Sequence, residues 1–145
     1  MKVFLSLDAA ARALGADEVA ARLAEEAAAR GFDLELKRVG SRGMAWLEPL
    51  VEIEEQGVRH AFGPVTPADV PALLDGDFPG HGPTEQIPFF ACQTRLTFAR
   101  VGVIEPLSLA DYEAHGGLAG LRHAISAPDG IKWTLGTSSR SRNPA

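Results

Sequence analysis

The sequence predicts an α/β fold in which a parallel β-α-β unit is followed by a β-hairpin and a closing helix. Three observations carry that expectation. An alanine-rich amphipathic stretch, residues 17–30, separates two stretches in which apolar and polar residues alternate. A Gln-Gly pair at 56–57 joins two further alternating stretches. The run TPADVPALL, residues 66–74, carries the signals of a helix start.

In chain order, Val3, Leu5 and Leu7 alternate with Phe4 and Ser6, which reads as a strand with at least one buried face. In the helix over 17–30, Val19, Leu23 and Ala27 recur four apart and form an apolar stripe. Glu18 with Arg22 and Glu26 with Arg30 are i,i+4 pairs in the favourable order, and Gly31 supplies the C-cap. FDLELKRV, residues 32–39, alternates again, with Phe32, Leu34 and Leu36 on one face and Asp33, Glu35 and Lys37 on the other. Strand, helix and strand with short links imply a right-handed parallel crossover. Beyond a glycine-bearing loop, LVEIEE (50–55) and VRHAFG (58–63) flank the Gln-Gly pair. Gly57 can take the positive φ of a tight hairpin, so these two are expected to be antiparallel. In TPADVPALL, Thr66 is the N-cap, Pro67 the first helical residue and Asp69 the capping-box acid. Pro71 falls within the first turns, where it costs less than in a helix interior.

This order, βαβ then ββα, is the thioredoxin-like arrangement, expected over residues 2–75. Its predicted core is Val3, Leu5, Val19, Leu23, Leu34, Leu36, Val51, Ile53, Phe62, Val70 and Leu73. Residues 76–92 turn to Gly, Pro, His and Asp and read as an extended linker. Within 93–126, RLTFARVGVIEP is expected to be extended, anchored by Leu96, Phe98 and Val101. Ser108 is a candidate N-cap, and a short helix through Leu118, Leu121 and Ile125 follows. That helix cannot bury its face alone, so a larger neighbour, or self-association, is expected. Residues 127–145 end in a polar, basic tail expected to be disordered.

At 145 residues, 46% hydrophobic and 23% charged, the composition is that of one ordinary globular domain. The net charge of -5 argues against nucleic acid as the main partner. No apolar run approaches the roughly 20 residues that cross a bilayer, and Asp8 interrupts the N-terminal run before a signal-peptide core forms. No membrane association and a cytoplasmic location are expected. The single cysteine, Cys92, excludes an internal disulfide and a multi-thiolate metal site built within the chain.

The loop GSRGMAWLEP, residues 40–49, has two readings. It is a cofactor-cradling or partner-docking loop, or a turn whose glycines merely permit positive φ. Met44 and Trp46, large apolar residues on that loop, either pack inward or form a contact surface, and they are the candidate partner contacts. HGGLAG, residues 115–120, lacks the spacing of a phosphate-binding turn and reads as a helix entry. His60, His81, His115 and His123 are scattered without the spacing of a metal pair. Cys92 has no adjacent base or cation to lower its thiol pKa, and no pair of carboxylates points to general acid–base work. No catalytic, cofactor-binding or metal-ligating residue is assigned.

Five stretches together resemble a known family: LGADEVA (14–20), GSRGMAWLEPLVE (40–52), GPVTPADV (63–70), RLTFARVGVIEPLSLADY (95–112) and AHGG (114–117). Over residues 2–125 the chain is similar to the N-terminal part of the flavoprotein (β, diaphorase) subunit of soluble, molybdenum-containing NAD-dependent formate dehydrogenases. Those subunits are in turn similar to the NADH-oxidising subunits of complex I and of NAD-reducing hydrogenases. The resemblance implies a thioredoxin-like first domain of the [2Fe–2S] ferredoxin type. In the relatives the loop reads G-C-x-G-x-C, with two more cysteines near the end of the first strand. Here it reads Gly40-Ser41-Arg42-Gly43-Met44-Ala45, and residues 5–12 hold no cysteine, so the implied domain is cluster-less.

The resemblance further implies that 93–126 leads toward a flavin-binding domain. Here the chain runs from ISAPD directly to GIKW, residues 130–133, without the family's glycine loop, NADH site or [4Fe–4S] cysteines. Lys132 matches a family position near the flavin but is not carried over as a site. The expectation is a truncated subunit that holds no cofactor itself, FMN and [4Fe–4S] being implied only for the full-length subunit. Its implied partner is the neighbouring iron–sulfur subunit, and its role is docking. Two alternatives stand beside it: a diaphorase subunit of a hydrogenase or complex-I-type enzyme, and a stand-alone thioredoxin-like thiol protein using Cys92.

Overall fold

The structure, a computed structural model, describes residues 1–126. The expected tail over 127–145, with its GIKW sequence and Lys132, lies outside the described residues. Four strands form one mixed sheet in the order β2-β1-β3-β4. Strand β1 (Lys2–Ser6) pairs in parallel with β2 (Glu35–Val39), Lys2 opposite Glu35 and Ser6 opposite Val39. On its other side β1 pairs antiparallel with β3 (Val51–Glu55), which pairs antiparallel with β4 (Val58–Phe62). Gln56 and Gly57 both take positive φ, 51° and 80°, so the two-residue turn follows the twist of its strands.

One face of the sheet carries the main core. Helix α2 (Ala16–Arg30) makes the crossover and ends at Gly31, φ 71°. Beside it lies α3 (Val70–Asp75), entered through a 3₁₀ turn, Pro67–Asp69, with the Thr66–Asp69 capping box formed. Val3, Leu5, Val19, Leu23, Val51, Ile53, Val70 and Leu73 are buried together, and Leu34, Leu36 and Phe62 close the margin. Burial of such side chains contributes about 1.5–3 kcal/mol each. Arg30 binds Glu26 one turn back and reaches across to Asp75, tying α2 to α3, while Arg22 pairs with Glu25 and Glu26 rather than Glu18.

Several elements depart from expectation. A short helix α1 (Ala9–Ala13) precedes α2, capped by Asp8, whose carboxylate accepts the Ala11 N–H at 2.9 Å. Strand β2 begins at Glu35 and not Phe32, because its parallel partner begins at Lys2; Phe32 is exposed. The expected linker, 76–92, is packed onto the sheet. The Ala61 N–H donates to the Gly82 carbonyl at 3.0 Å, and the His81 N–H donates back to Ala61 at 2.8 Å. These bonds pair the edge of β4 at Ala61. A 3₁₀ turn, Thr84–Gln86, and α4 (Pro88–Ala91) follow, burying Thr84 and Phe90. Residues 95–106, expected to be extended, form successive turns, among them Val101 N–H to Phe98 and Val103 N–H to Arg100. Helices α5 (Leu109–Ala114) and α6 (Ala119–Ser126) complete the described chain; Ser108 caps α5 by accepting the Asp111 N–H at 3.1 Å. α6 buries no residue, and Leu121 and Ile125 are exposed. Among the described residues, no helix is long and apolar enough to cross a membrane.

Candidate functional site

Strand alternation puts Phe4, Lys37, Glu52 and Arg59 on the sheet face opposite the main core. That face is closed by charge. Glu52, only 2% exposed, accepts the Arg42 Nε at 3.2 Å from each carboxylate oxygen and Arg42 Nη2 at 3.0 Å. Arg59 Nη1 stands 3.6 Å from the other side of the same carboxylate, and its guanidinium lies 3.3 Å from the centre of the Phe4 ring. Arg59 also donates to the carbonyls of Gly102 (2.7 Å) and Val103 (3.0 Å). Burial lowers the Arg59 pKa below its ordinary value, and the Glu52 charge opposes that shift. Lys37 adds a second tie, donating to both oxygens of Asp111 at 3.0 and 3.1 Å. Asp111 also accepts the Glu105 N–H at 3.0 Å. That bond, followed by Lys37, holds its carboxyl below the usual carboxylate range. The turns at 95–107 and α5 are therefore fastened to the sheet by directed polar contacts.

The loop between β2 and β3 supplies Arg42 and fixes its own shape. Ser41 Oγ donates to Glu48 Oε1 at 3.0 Å and accepts the Gly43 N–H at 3.0 Å. Glu48 is buried and also accepts the Leu50 N–H. Burial pushes its carboxyl pKa up, against those two hydrogen bonds, with Asp8 and Glu52 adding repulsion. Gly43 takes φ 85°, a conformation L side chains avoid. At Gly40 an added Cβ would stand 3.1 Å from Val101, so loop and overlying turns approach closely.

The two candidate contacts part company here. Met44 is fully buried in a second apolar cluster with Leu47, Leu50, Ala61 and Phe90, and offers no contact surface. The reason is the 3₁₀ turn Ala45–Leu47: residues three apart share a face, so Met44 and Leu47 point inward together. Trp46 falls on the outside, 60% exposed, edge-on to Phe89 at 5.2 Å. Cys92 is exposed, its thiol facing the Phe89 carbonyl at 3.6 Å. His81 contacts the Gly63 carbonyl and His115 that of Asp111. Among the described residues no three His, Cys, Asp or Glu side chains are placed to hold a metal ion.

The loop does not fit a [2Fe–2S] cluster. Ser41 Oγ is already committed to Glu48 and Gly43, Ala45 has no donor atom, and Arg42 and Met44 fill the loop's inner side. A hydroxyl and a methyl group at the two thiolate positions, with a cationic guanidinium and a thioether packed beside them, are the wrong donor set.

Sequence reasoning missed Arg42, Glu52 and Arg59. Alternation assigns Glu52 and Arg59 to a polar face and cannot say what covers that face. The hairpin register held a usable signal: Glu52 opposes Ala61 and Glu54 opposes Arg59, which makes Glu52 and Arg59 diagonal neighbours of opposite charge. No protein-family model matches the chain, and no curated protein matches it significantly.

Proposed function

We propose that the chain is the N-terminal, thioredoxin-like and cluster-less part of the flavoprotein subunit of an NAD-dependent formate dehydrogenase, and that it acts as a docking module. In the full-length subunit, electrons from formate oxidation elsewhere would reach FMN and then NAD. The glycine loop, NADH site and [4Fe–4S] cysteines that the resemblance implies for that chemistry have no counterpart among these 145 residues. Support for the thioredoxin-like reading comes from the strand order β2-β1-β3-β4, with α2 and α3 packed into one core on a single face. The observation that carries the docking role is the division of the loop at 40–49. Its inner side is filled by Arg42 and Met44, and its outer side displays Trp46. A large aromatic on a braced loop is the kind of residue that anchors a protein interface.

Trp46→Ser in the full-length subunit tests the reading. The expected result is weakened assembly with the neighbouring iron–sulfur subunit, read by co-purification, with the domain's unfolding midpoint unchanged. Unchanged assembly would overturn the docking role. A hydrogenase or complex-I-type diaphorase would use the same surface, and the substrate-oxidising subunits that co-purify distinguish it from formate dehydrogenase.

A further inference from the structure

We propose that the groove between α4 and residues 93–98 receives an acidic segment with apolar side chains from a partner protein. This rests on the docking reading and names the chemistry of its partner. The groove has a volume of about 450 Å³ and is lined by Phe89, Thr94, Arg95, Leu96 and Phe98, with Arg42 also on its lining. Its apolar wall is unusually open: Leu96 is 83% exposed and Phe98 63%. Trp46, against the far side of Phe89, extends the wall.

Charge selects the partner. Between Glu85 and Glu105 the chain has no acidic residue, only Arg95 and Arg100, although its net charge is -5. Arg42 is already neutralised by Glu52 and Glu85, both at 3.0 Å. Arg95 has no ion-pair partner among the described residues, and its guanidinium stands 5.3 Å from the centre of the Phe90 ring. The groove thus presents exposed aromatic and aliphatic surface beside an unpaired cation. Complementarity calls for Asp or Glu interleaved with large apolar residues. Nucleic acid fits poorly, since phosphate binding needs clustered Lys and Arg and the groove offers a single unpaired arginine.

The test uses the full chain. Randomised displayed peptides are selected on the wild-type protein alone, with no counter-selection. Synthetic versions of the enriched peptides are then titrated by calorimetry, with protection of Cys92 from alkylation as a second readout. Cys92 suits this role as the sole cysteine, exposed and adjacent to Gln93 of the groove. We expect enrichment of sequences combining Asp or Glu with Leu, Phe, Met or Trp, and slower alkylation of Cys92 in their presence. Binding should be about tenfold weaker in Arg95→Glu and in Phe98→Ser, both replacing side chains outside the core, and weaker at high salt. Enrichment of basic or uncharged peptides, or binding indifferent to both variants, would overturn the proposal. So would a dimer of the wild-type chain that protects Cys92 without peptide, since a second copy would then own the groove. Loss of this proposal alone leaves Trp46-dependent assembly intact; assembly unchanged in Trp46→Ser, with peptide binding intact, points to a partner other than the iron–sulfur subunit.

Discussion

Replacing Glu52 with glutamine isolates charge from shape at the centre of the covered sheet face. The amide keeps the volume and one acceptor oxygen, and removes only the negative charge and the second acceptor. Two guanidiniums then remain: Arg42, bonded to that carboxylate at 3.0–3.2 Å, and Arg59, 3.6 Å from it, with no buried anion between them. Removing one partner of a buried ion pair costs about 3–5 kcal/mol. Arg42 retains Glu85, which offsets part of that cost even though the side chain is 69% exposed and its attraction screened, so the expected loss sits near the lower end, about 3 kcal/mol. A domain of this size has about 5–15 kcal/mol in total. Urea unfolding at pH 7, followed by circular dichroism, is the assay. With m of about 1–3 kcal/mol/M, the midpoint should fall by about 1–3 M. Arg42→Met completes a double-mutant cycle, with a coupling of about 2 kcal/mol expected. Arg42→Met with Glu52→Leu should recover only part of the loss, because an apolar pair replaces the ionic one while Arg59 is left without its carboxylate. A loss below about 1 kcal/mol for Glu52→Gln, or zero coupling, would refute the claim that this carboxylate compensates two buried cations.

Met44 and Trp46 should separate cleanly by stability: Met44→Ala opens a cavity in the second cluster and costs about 2–5 kcal/mol, while Trp46→Ser stays within about 1 kcal/mol, both read by thermal unfolding. Asp111 has a depressed folded pKa, so its contribution is present above its unfolded value, about 3.9, and is lost as pH falls through the folded one. Asp111→Asn should therefore show a shallower acid-side decline of the melting temperature than the wild type. Glu48 has the opposite sign: its folded pKa is raised, so its contribution is greatest below about 4.3 and is lost as pH rises through the folded value. Relative to the wild type, Glu48→Gln should gain stability with rising pH, and a flat difference would remove the burial argument. The purified chain should be colourless and leave the absorption spectrum of added FMN unchanged; a bound flavin band, or an iron–sulfur charge-transfer band, would overturn the cluster-less reading.

What was legible in the sequence follows from which interactions are periodic. β1, β3, β4 and α2 each bury one face against the same core, so Val3 with Leu5, Val51 with Ile53, and Val19 with Leu23 announce themselves by spacing. The second face was not legible in the same way. Alternation in VEIEE separates Val51 and Ile53 from Glu52 and Glu54 but is silent on whether the charged side meets water or another layer. The cover over Glu52 comes from turns at 95–107, which carry no period, and from Arg42 in a loop. Gly and Pro in 76–92 correctly mark irregular backbone, yet irregular backbone can still pack: an added Cβ at Gly80 would stand 2.9 Å from the Phe62 ring. The α1 helix is a single turn and a half, too short for a stripe, and only Asp8 as its cap marks it. For Met44 and Trp46, hydrophobicity identified a pair of interest, and the local three-residue period of the 3₁₀ turn decided which one faces out.

The way the second face is closed bears directly on the proposed role. A segment held by apolar burial would turn Leu96, Phe98, Leu107 and Leu109 toward the sheet; all four are exposed. What fastens it instead are carbonyls of Gly102 and Val103 on Arg59, and Asp111 on Lys37, with Ile104 the one large apolar side chain buried there. Hydrogen bonds to backbone groups do not consume side chains, so the segment keeps its apolar residues for another surface. The same arrangement explains why buried charge is retained where an apolar layer would be at least as stable. Arg59, paired through Glu52 with Arg42, holds the cover by its backbone and leaves its outward face, and the groove beside Arg95, open to a partner.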